Sequence, residues 1–401
     1  MVDRPMRGGR PLVITDPTLM VRHANGRLVM VRDRKTIAAI PVADISHVAV
    51  HGPVTFTGAA IARILDAGLD VTLHTSSGRF RGTIHGRESK NVYLLLAQAD
   101  AWNHPERRLA FARPLLLSKI AGQRQLLQRQ ALDRGSALCA EAVTRLAVLE
   151  RKILREESIE ALLGLEGAAS AAYFAAFGDM LSGAWSFPGR VRRPPKDPVN
   201  ALLSFGYTLA GSEIARHLTA AGFDPRIALL HGIRYGRESL PLDLVEEFRA
   251  PLVDRFTLRL LNRSELTEAD FEDRDHDAVG LRDGARRRYL ELWEEMLSAR
   301  APRLRNDGAI SGDEDMAEAQ ELGRAVPAGQ EVELGERVTW RFRMERQIHR
   351  LRRFLLKGVP YRPLQSTTKW KDSGEMPRNG GSQRDGEAGQ GDEIVEDDGE
   401  V

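Results

Sequence analysis

The first hundred residues alternate apolar and polar positions with the period of two that is typical of β-strands. Two such runs flank the segment "ANGR", in which Asn25-Gly26 is a strong signal for a tight hairpin turn. The runs "KTIAAIPVADISHVAVHG" and "LDVTLHTSSGRFRGTIHG" repeat the pattern, with a second turn at Ser76-Ser77-Gly78. Between these runs, "GAAIARILDAG" predicts a short helix that ends at Gly68. We therefore expect a small β-rich domain over residues 1–103.

From about residue 105 the apolar positions recur at helical spacing, first at Leu109, Leu116, Ile120 and Leu127. Helical patterns continue through "SALCAEAVTRLAVLERKILREE", "SIEALLGLEGAASAAYFAAFGDML" and the segments near 240–262, 279–299 and 337–357. Two further helices are expected to begin at Asp-Pro pairs, Asp197-Pro198 and Asp224-Pro225. The sequence thus predicts an α+β fold, in which the β-rich domain precedes a larger all-α domain over residues 104–365.

Two segments lack this patterning. Residues 303–335 are polar and weakly patterned, which predicts a long surface insertion in the helical domain. Residues 366–401 are rich in glycine and acids without any periodicity, which predicts a disordered acidic tail. From Asp372 to Val401 ten acids stand against two arginines, a net charge of −8, so the other 371 residues carry 56 bases and 46 acids, a net charge of +10. A net charge of +10 outside the tail favours a polyanionic partner such as nucleic acid. The alternative is a basic protein that does not bind nucleic acid.

Cysteine usage and the start of the chain bear on the cellular compartment. The single cysteine, Cys139, excludes an internal disulfide framework and a multi-cysteine metal site. The first residues, "MVDRPMRGGRPL", lack the apolar segment of a secretory leader, and no run of about 18 apolar residues appears along the chain. We expect a cytoplasmic protein.

Glu166 lies in the apolar helical pattern "LLGLEGAASAAYFAAF" and is the only charged residue between Glu160 and Asp179. A carboxylate in such surroundings is costly unless a cation neutralises it. That cation is either an arginine in a buried salt bridge or a bound metal ion, and this stretch alone leaves both open.

A second group of polar residues lies in "LLHGIRYGRESLPLDLVEEFR". His231 ends the apolar run "IALLH", where a histidine is either a hydrogen-bonded core residue or a ligand. Asp243, Glu246 and Glu247 are spaced i, i+3 and i+4, so on a helix they share one face. Such a face is solvated, paired with nearby arginines, or occupied by a cation.

Glu166, His231 and Glu246 together would offer two carboxylates and one imidazole, from three predicted helices, to a divalent ion such as Mg²⁺ or Mn²⁺. An enzyme that cuts or joins DNA uses such an ion to neutralise charge at the reacting phosphate. The segment "RVRRPPK" would add phosphate contacts or serve only as an exposed linker; its basic residues are Arg190, Arg192, Arg193 and Lys196.

Four motifs carry a resemblance to a known family. "LLGLEGAASAAYFAAF", "RRPPKDPVNALLSFGYTL", "AAGFDPRIALLHG" and "SLPLDLVEEFRAPLVDR", in this order, resemble those of the CRISPR-associated adaptation endonuclease, a DNA integrase. The N-terminal runs resemble its β domain, and "AQADAWNHPERRLAFARPLLLSKIAGQRQLL" resembles its linker and first long helix. The resemblance covers about residues 11–365, apart from the 303–335 insertion.

By this resemblance Glu166, His231 and Glu246 are the catalytic residues and the metal ligands. Asp243 is implied to be an auxiliary acid, while Glu247 is implied to lie behind the ligands or to face solvent. The resemblance further implies a homodimer formed through the β domain, which assembles with a second, smaller CRISPR adaptation protein on double-stranded DNA. That DNA comprises the incoming prespacer and the CRISPR repeat.

The implied reaction inserts new spacer DNA into the CRISPR array. Each 3′-hydroxyl of the incoming DNA attacks a phosphodiester of the repeat, which is a transesterification. Two other functions stay open: a metal-dependent nuclease that acts mainly on branched or damaged DNA, and a DNA-binding scaffold without catalysis. The complete Glu166, His231 and Glu246 set argues against the scaffold, which has no use for these ligands.

Overall fold

A computed structural model describes residues 10–75, 80–86, 92–183, 185–274, 278–302 and 338–364. The predicted turn at 76–78, the predicted insertion at 303–335 and the predicted tail at 366–401 lie outside the described residues.

The N-terminal part of the chain forms strands and one helix: β1 (Arg10–Ile14), β2 (Met20–Ala24), β3 (Arg27–Arg32), β4 (Lys35–Pro41), β5 (Ile45–His51), β6 (Thr55–Phe56), α1 (Gly58–Asp66), β7 (Val71–His74) and β8 (Phe80–Ile84). They form two four-stranded sheets, ordered β1-β5-β7-β8 and β4-β3-β2-β6. In the first sheet β1, β5 and β7 are parallel, and in the second β2, β3 and β4 form an antiparallel meander. Apolar side chains of both sheets and of α1 share one core.

The turns of this part follow the sequence pattern. Asn25 and Gly26 have φ angles of 49° and 72°, as the two central residues of a tight hairpin between β2 and β3 require. Helix α1 ends just before Gly68, whose φ of 71° lies in the left-handed region. Both predictions are confirmed.

The rest of the chain is mainly helical: α2 (Val92–Asn103), α3 (Pro105–Arg134), α4 (Ala137–Ile153), α5 (Ile159–Phe177), α6 (Pro198–Ala220), α7 (Leu240–Phe248), α8 (Arg255–Asn262), β9 (Phe271–Arg274), β10 (Ala278–Leu281), α9 (Asp283–Ser298) and α10 (Trp340–Lys357). A π-helical segment, Arg249–Asp254, joins α7 to α8. These helices share a second core, which already includes Leu94 and Ala101 of α2. Helix α2 thus packs into the helical core, and the domain boundary expected at residue 103 stays a prediction.

Two predicted helices differ in the structure. The segment after Asp224-Pro225 forms turns, because the backbone amides of Leu229, Leu230 and His231 donate to the Asp243 carboxylate rather than to carbonyls one turn earlier. The helix expected from residue 279 begins at Asp283, since Ala278–Leu281 pairs with Phe271–Arg274 as an antiparallel ribbon. An all-α second domain is therefore wrong in this detail. The two strands span four residues each, too few to reveal their period.

Helix α5 is long and apolar. By length and apolar content alone, Ile159–Met180 could cross a membrane, but the core helices of soluble proteins meet the same criteria. In this structure α5 packs against α3 and α4, and its Leu162, Ala169 and Tyr173 are buried in the helical core.

Candidate metal centre

Glu166 lies on α5 and faces Lys119 of α3. The helix is capped by Ser158, whose hydroxyl accepts from the amide of Ala161, and the small residues around Glu166 allow a close approach to α3. One Glu166 oxygen accepts from Ser170 Oγ at 2.8 Å and forms an ion pair with Lys119 Nζ. The Glu166 side chain is 21% exposed, whereas that of Lys119 is 3% exposed. The side-chain cation that contacts Glu166 is thus a lysine, whereas the sequence left open an arginine or a bound metal ion.

Glu246 on α7 approaches the same lysine from the other side. Its Oε2 lies 2.7 Å from Lys119 Nζ and 2.9 Å from Arg249 Nε. Burial raises the pKa of Glu246, but the charges of Arg249 and Lys119 outweigh burial and bring the pKa to about 2. Because Glu166 and Glu246 share one ammonium group, their oxygens lie within about 6 Å of each other, two hydrogen-bond lengths. Eighty positions of sequence separate these two residues.

His231 is held in place by Asp243, the first acid of α7. The Asp243 carboxylate accepts from the amides of Leu229, Leu230 and His231 at 2.7, 2.9 and 2.9 Å, and it lies 2.7 Å from His231 Nδ1. The bond to Nδ1 leaves Nε2 as the nitrogen available to a ligand.

The charges around His231 act on its protonation. Burial lowers the pKa of His231, but the hydrogen bond and charge of Asp243, with the charges of Glu246 and Glu166, raise it above 6.5 overall. The imidazole therefore lies within electrostatic reach of both carboxylates that contact Lys119.

Glu247 is not part of this cluster. It is completely buried on α7 and accepts hydrogen bonds from Ser118 Oγ at 3.1 Å, from Gln347 Nε2 and Tyr361 Oη, and from the amide of Leu364. The solvated acidic face and a solvent-facing Glu247 are both wrong, because Asp243, Glu246 and Glu247 are all buried. Adjacent residues of a helix point about 100° apart, so Glu246 and Glu247 meet different partners. Glu246 contacts Lys119 of α3, while Glu247 connects α7 to α10 and to the segment after it.

These side chains suit a divalent cation in their chemistry. Two carboxylates meet at a position where the protein already places positive charge, the ammonium of Lys119, and the charges of both carboxylates act on the imidazole of His231. Among the described residues, no group of three or more His, Cys, Asp or Glu side chains forms a metal cage as it stands. Glu166 and Glu246 meet at Lys119. A shared metal ion bound by these two carboxylates and His231 stays a prediction.

A layer of aromatic and acidic groups lies behind Glu246. The guanidinium of Arg249 stacks on the Tyr207 ring at 4.4 Å, and Tyr207 Oη donates to Asp254 at 2.5 Å. Tyr173 Oη donates to the other Asp254 oxygen at 2.9 Å. Burial raises the pKa of Asp254 to about 6, although both tyrosines and Arg249 act to lower it. Arg249 is thereby held from behind while it contacts Glu246.

Sequence reasoning missed Lys119 as a site residue. Its signal was available, because "LLLSKIAG" places one lysine among the buried positions Leu115, Leu116 and Ile120. A charge on the apolar side of a helix needs a partner, as Glu166 does. Nothing in the sequence connects these two residues, since they lie on different helices.

The predicted DNA-contacting residues fall into two groups. Arg190 is half-buried, and its guanidinium donates to Asn200 Oδ1 at 2.7 Å and to Ser204 Oγ at 3.0 Å, so it fixes the start of α6. Arg192, Arg193 and Lys196 are exposed. A phosphate contact stays a prediction for these three, and the inward contacts of Arg190 argue against that role for it.

The turn after His231 displays an aromatic side chain. Tyr235 is fully exposed at 108%, in a turn closed by the Arg237 amide and the Arg234 carbonyl at 3.1 Å. Arg237 anchors this turn by donating to the Gly232 carbonyl at 2.7 Å and to Ser239 Oγ at 2.9 Å. An aromatic ring among arginines is a surface on which an unpaired nucleic-acid base stacks.

Comparisons with known proteins give the same family. The family described as "CRISPR associated protein Cas1" matches residues 12–295. CRISPR-associated endonuclease Cas1 2 of Rhodospirillum rubrum is 36% identical over 286 residues, which are 69% of this chain and 82% of that protein. A chain of a Cas6-RT-Cas1–Cas2 complex shares the fold with a TM-score of 0.70 at 24% identity, over 92% of this chain and 37% of that longer chain.

A casposase bound to an integration product also shares the fold. Its TM-score is 0.68 at 18% identity, over 87% of this chain and 91% of that chain. This likeness concerns the fold alone. The family match and the identity with the relative from Rhodospirillum rubrum carry the assignment: the chain belongs to the Cas1 family of CRISPR-associated proteins.

Proposed function

We propose that this protein is the integrase of CRISPR adaptation, a metal-dependent DNA endonuclease that inserts spacer DNA into the CRISPR array. The observation that carries the proposal is the convergence of Glu166 and Glu246 on one buried cation, beside a histidine whose Nδ1 is fixed by Asp243. The family membership and the endonuclease named in the relative support the same activity.

Glu166, Glu246 and Nε2 of His231 would hold Mg²⁺ or Mn²⁺. Such an ion would neutralise the charge that develops on the attacked phosphate. Asp243 keeps the histidine ring oriented and fixes which nitrogen carries the proton, a role that outer partners of metal-binding histidines perform. Arg249 holds Glu246 and adds positive charge on the side of the site away from solvent.

The reaction that we propose is a transesterification. A 3′-hydroxyl of the incoming DNA attacks a repeat phosphodiester, so that one phosphorus–oxygen bond forms and one breaks. The attacking hydroxyl gives its proton to water, and the leaving 3′-oxygen of the repeat strand takes a proton from water and becomes a 3′-hydroxyl. The number of phosphodiester bonds is unchanged, so the step needs no ATP and no covalent protein intermediate.

The partners in this proposal are double-stranded DNA, a second copy of this chain through the β-rich part, and the smaller adaptation protein Cas2. The net charge of +10 outside the acidic tail suits the DNA, with exposed Arg192, Arg193 and Lys196 as phosphate contacts. The names of the matching structures, a Cas1–Cas2 complex and a casposase on its integration product, support Cas2 and DNA as partners. Such a complex would act in the cytoplasm.

The test compares strand joining with hydrolysis. Purified protein and Cas2 are incubated with a labelled duplex carrying 3′-hydroxyl ends and a supercoiled plasmid that contains a CRISPR repeat, with Mn²⁺ or with EDTA. We expect label to enter the repeat with Mn²⁺, no product with EDTA, and no joining by Glu246→Ala, which should still bind DNA. Cleavage of branched DNA without joining would favour the alternative, a nuclease for branched or damaged DNA.

A further inference from the structure

Lys119 has surroundings that a lysine seldom occupies. Its side chain is 3% exposed, and Leu115, Leu116 and Ile120 of the same helix are fully buried. A buried ammonium is costly unless carboxylates neutralise it, and Lys119 contacts two of them, Glu166 and Glu246. These are also the two carboxylates that the proposed function assigns to the metal.

The charges in direct contact at Glu166 and Glu246 are balanced without a metal. Glu166 and Glu246 supply two negative charges, and Lys119 and Arg249 supply two positive charges. A divalent ion added to this set would leave two excess positive charges in a largely buried region, where repulsion between like charges is stronger than in water. Binding of the ion therefore requires one of the two side-chain cations to withdraw.

Lys119 is the cation that can withdraw. Arg249 is held on the Tyr207 ring at 4.4 Å, and Tyr207 is itself bonded to Asp254 at 2.5 Å. The ammonium of Lys119 is carried by a flexible chain of four methylene groups. Glu166, which it contacts, is 21% exposed, so the site reaches solvent on that side.

We propose that Lys119 is an internal cation that occupies the metal position in the metal-free protein and competes with the metal for Glu166 and Glu246. This inference rests on the proposed function, because it assumes that these carboxylates bind the ion. The lysine keeps the two carboxylates together and neutralised until the ion arrives. The cost is a weaker apparent affinity, since the ion binds only the fraction of molecules in which the lysine has left.

The test measures Mn²⁺ binding to the full chain without DNA, by calorimetry and by the shift of the thermal midpoint. Lys119→Met removes the charge at similar volume, and Lys152→Met, at an exposed position of α4, is the matched control. We expect Lys119→Met to bind Mn²⁺ at least about tenfold more tightly than wild type, or about 1.4 kcal/mol. Without metal, the thermal midpoint of Lys119→Met should be lower than that of wild type. Mn²⁺ should raise the midpoint of Lys119→Met by more than it raises that of wild type. Lys152→Met should match wild type.

The outcomes separate the two proposals. Equal or weaker Mn²⁺ affinity of Lys119→Met, with binding still lost in Glu246→Gln, overturns the role of Lys119 and leaves the metal site intact. Absence of Mn²⁺ binding in both wild type and Lys119→Met overturns both proposals.

A measurement on the wild-type protein covers the case in which Lys119→Met does not fold. Acetylation of lysines, read by mass spectrometry with and without Mn²⁺, should label Lys119 several-fold faster once the ion displaces it, and label Lys152 equally in both. Protection of Lys119 that persists while Mn²⁺ is bound overturns the inference.

Discussion

Asp243→Asn should destabilise the protein more than any comparable change at an exposed acid. The Asp243 carboxylate is fully buried and accepts from three backbone amides and from His231 Nδ1, all at 2.7–2.9 Å. An asparagine has one oxygen to accept two of these bonds, and its amide group would face the remaining donors. With each bond to a charged group contributing about 1.5–3 kcal/mol, the loss of two amounts to roughly 3–6 kcal/mol.

Urea denaturation of the metal-free protein measures this loss, and amide hydrogen exchange should show faster exchange at Leu229, Leu230 and His231. Asp224→Asn is the control, because that acid lies in the same segment but pairs with the exposed Arg226 and should cost no more than about 1 kcal/mol. Mn²⁺ affinity of Asp243→Asn should fall by about 10–100-fold as the histidine loses its orientation. Equal stabilities of the two variants, with unchanged exchange at 229–231, would refute the assignment of Asp243 as the residue that positions His231.

Three further predictions concern other parts of the chain. Burial raises the pKa of Asp254 from 3.8 to about 6 in the folded protein. Between these pH values the folded state keeps a proton on Asp254 that the unfolded state has released. The free energy of unfolding should therefore fall by roughly 3 kcal/mol as the pH rises from about 4 to about 6. The free energy of unfolding should show this decrease with pH in wild type and not in Asp254→Asn. The same pH dependence in both proteins would contradict the prediction. Tyr235→Ala should weaken binding of DNA with an unpaired end by about 1–3 kcal/mol, while Tyr235→Phe and blunt duplex DNA show little change, and equal binding by both variants would argue against stacking. Deletion of residues 372–401, with their net charge of −8, should tighten duplex binding at low salt and less so at moderate salt; superimposable low-salt curves would mean an inert tail.

Local signals along the sequence predicted those elements whose causes are themselves local. The Asn25-Gly26 turn forms because both residues accept positive φ, and α6 starts at Asp197 because its carboxylate accepts from the Asn200 amide at 2.8 Å. The same Asp-Pro pair at Asp224 does not start a helix. The backbone amides that would form helical hydrogen bonds there donate instead to the carboxylate of Asp243, which lies later in the chain. A tertiary contact thus overrode a start signal that was locally sound.

The candidate site divides in the same way. The isolated charge of Glu166 in an apolar helix could be recognised, and so could its need for a cation, but the identity of that cation depends on how α3 packs beside α5. Glu247 and Glu246 looked equivalent on a helical face, and only the position of α10 shows that Glu247 is bound by Gln347 and the residues that follow. The spacing of residues along one helix predicts which of them share a face. It does not predict which residues from other parts of the chain pack against that face.

The central claim, that Glu166, His231 and Glu246 together bind a divalent ion, is tested most directly by anomalous diffraction from crystals grown with Mn²⁺ and duplex DNA. We predict one anomalous peak about 2.0–2.4 Å from an oxygen of each glutamate and from Nε2 of His231, with Lys119 Nζ moved away from both carboxylates. A map in which Lys119 still bridges Glu166 and Glu246, with the manganese absent or bound elsewhere, would contradict the account.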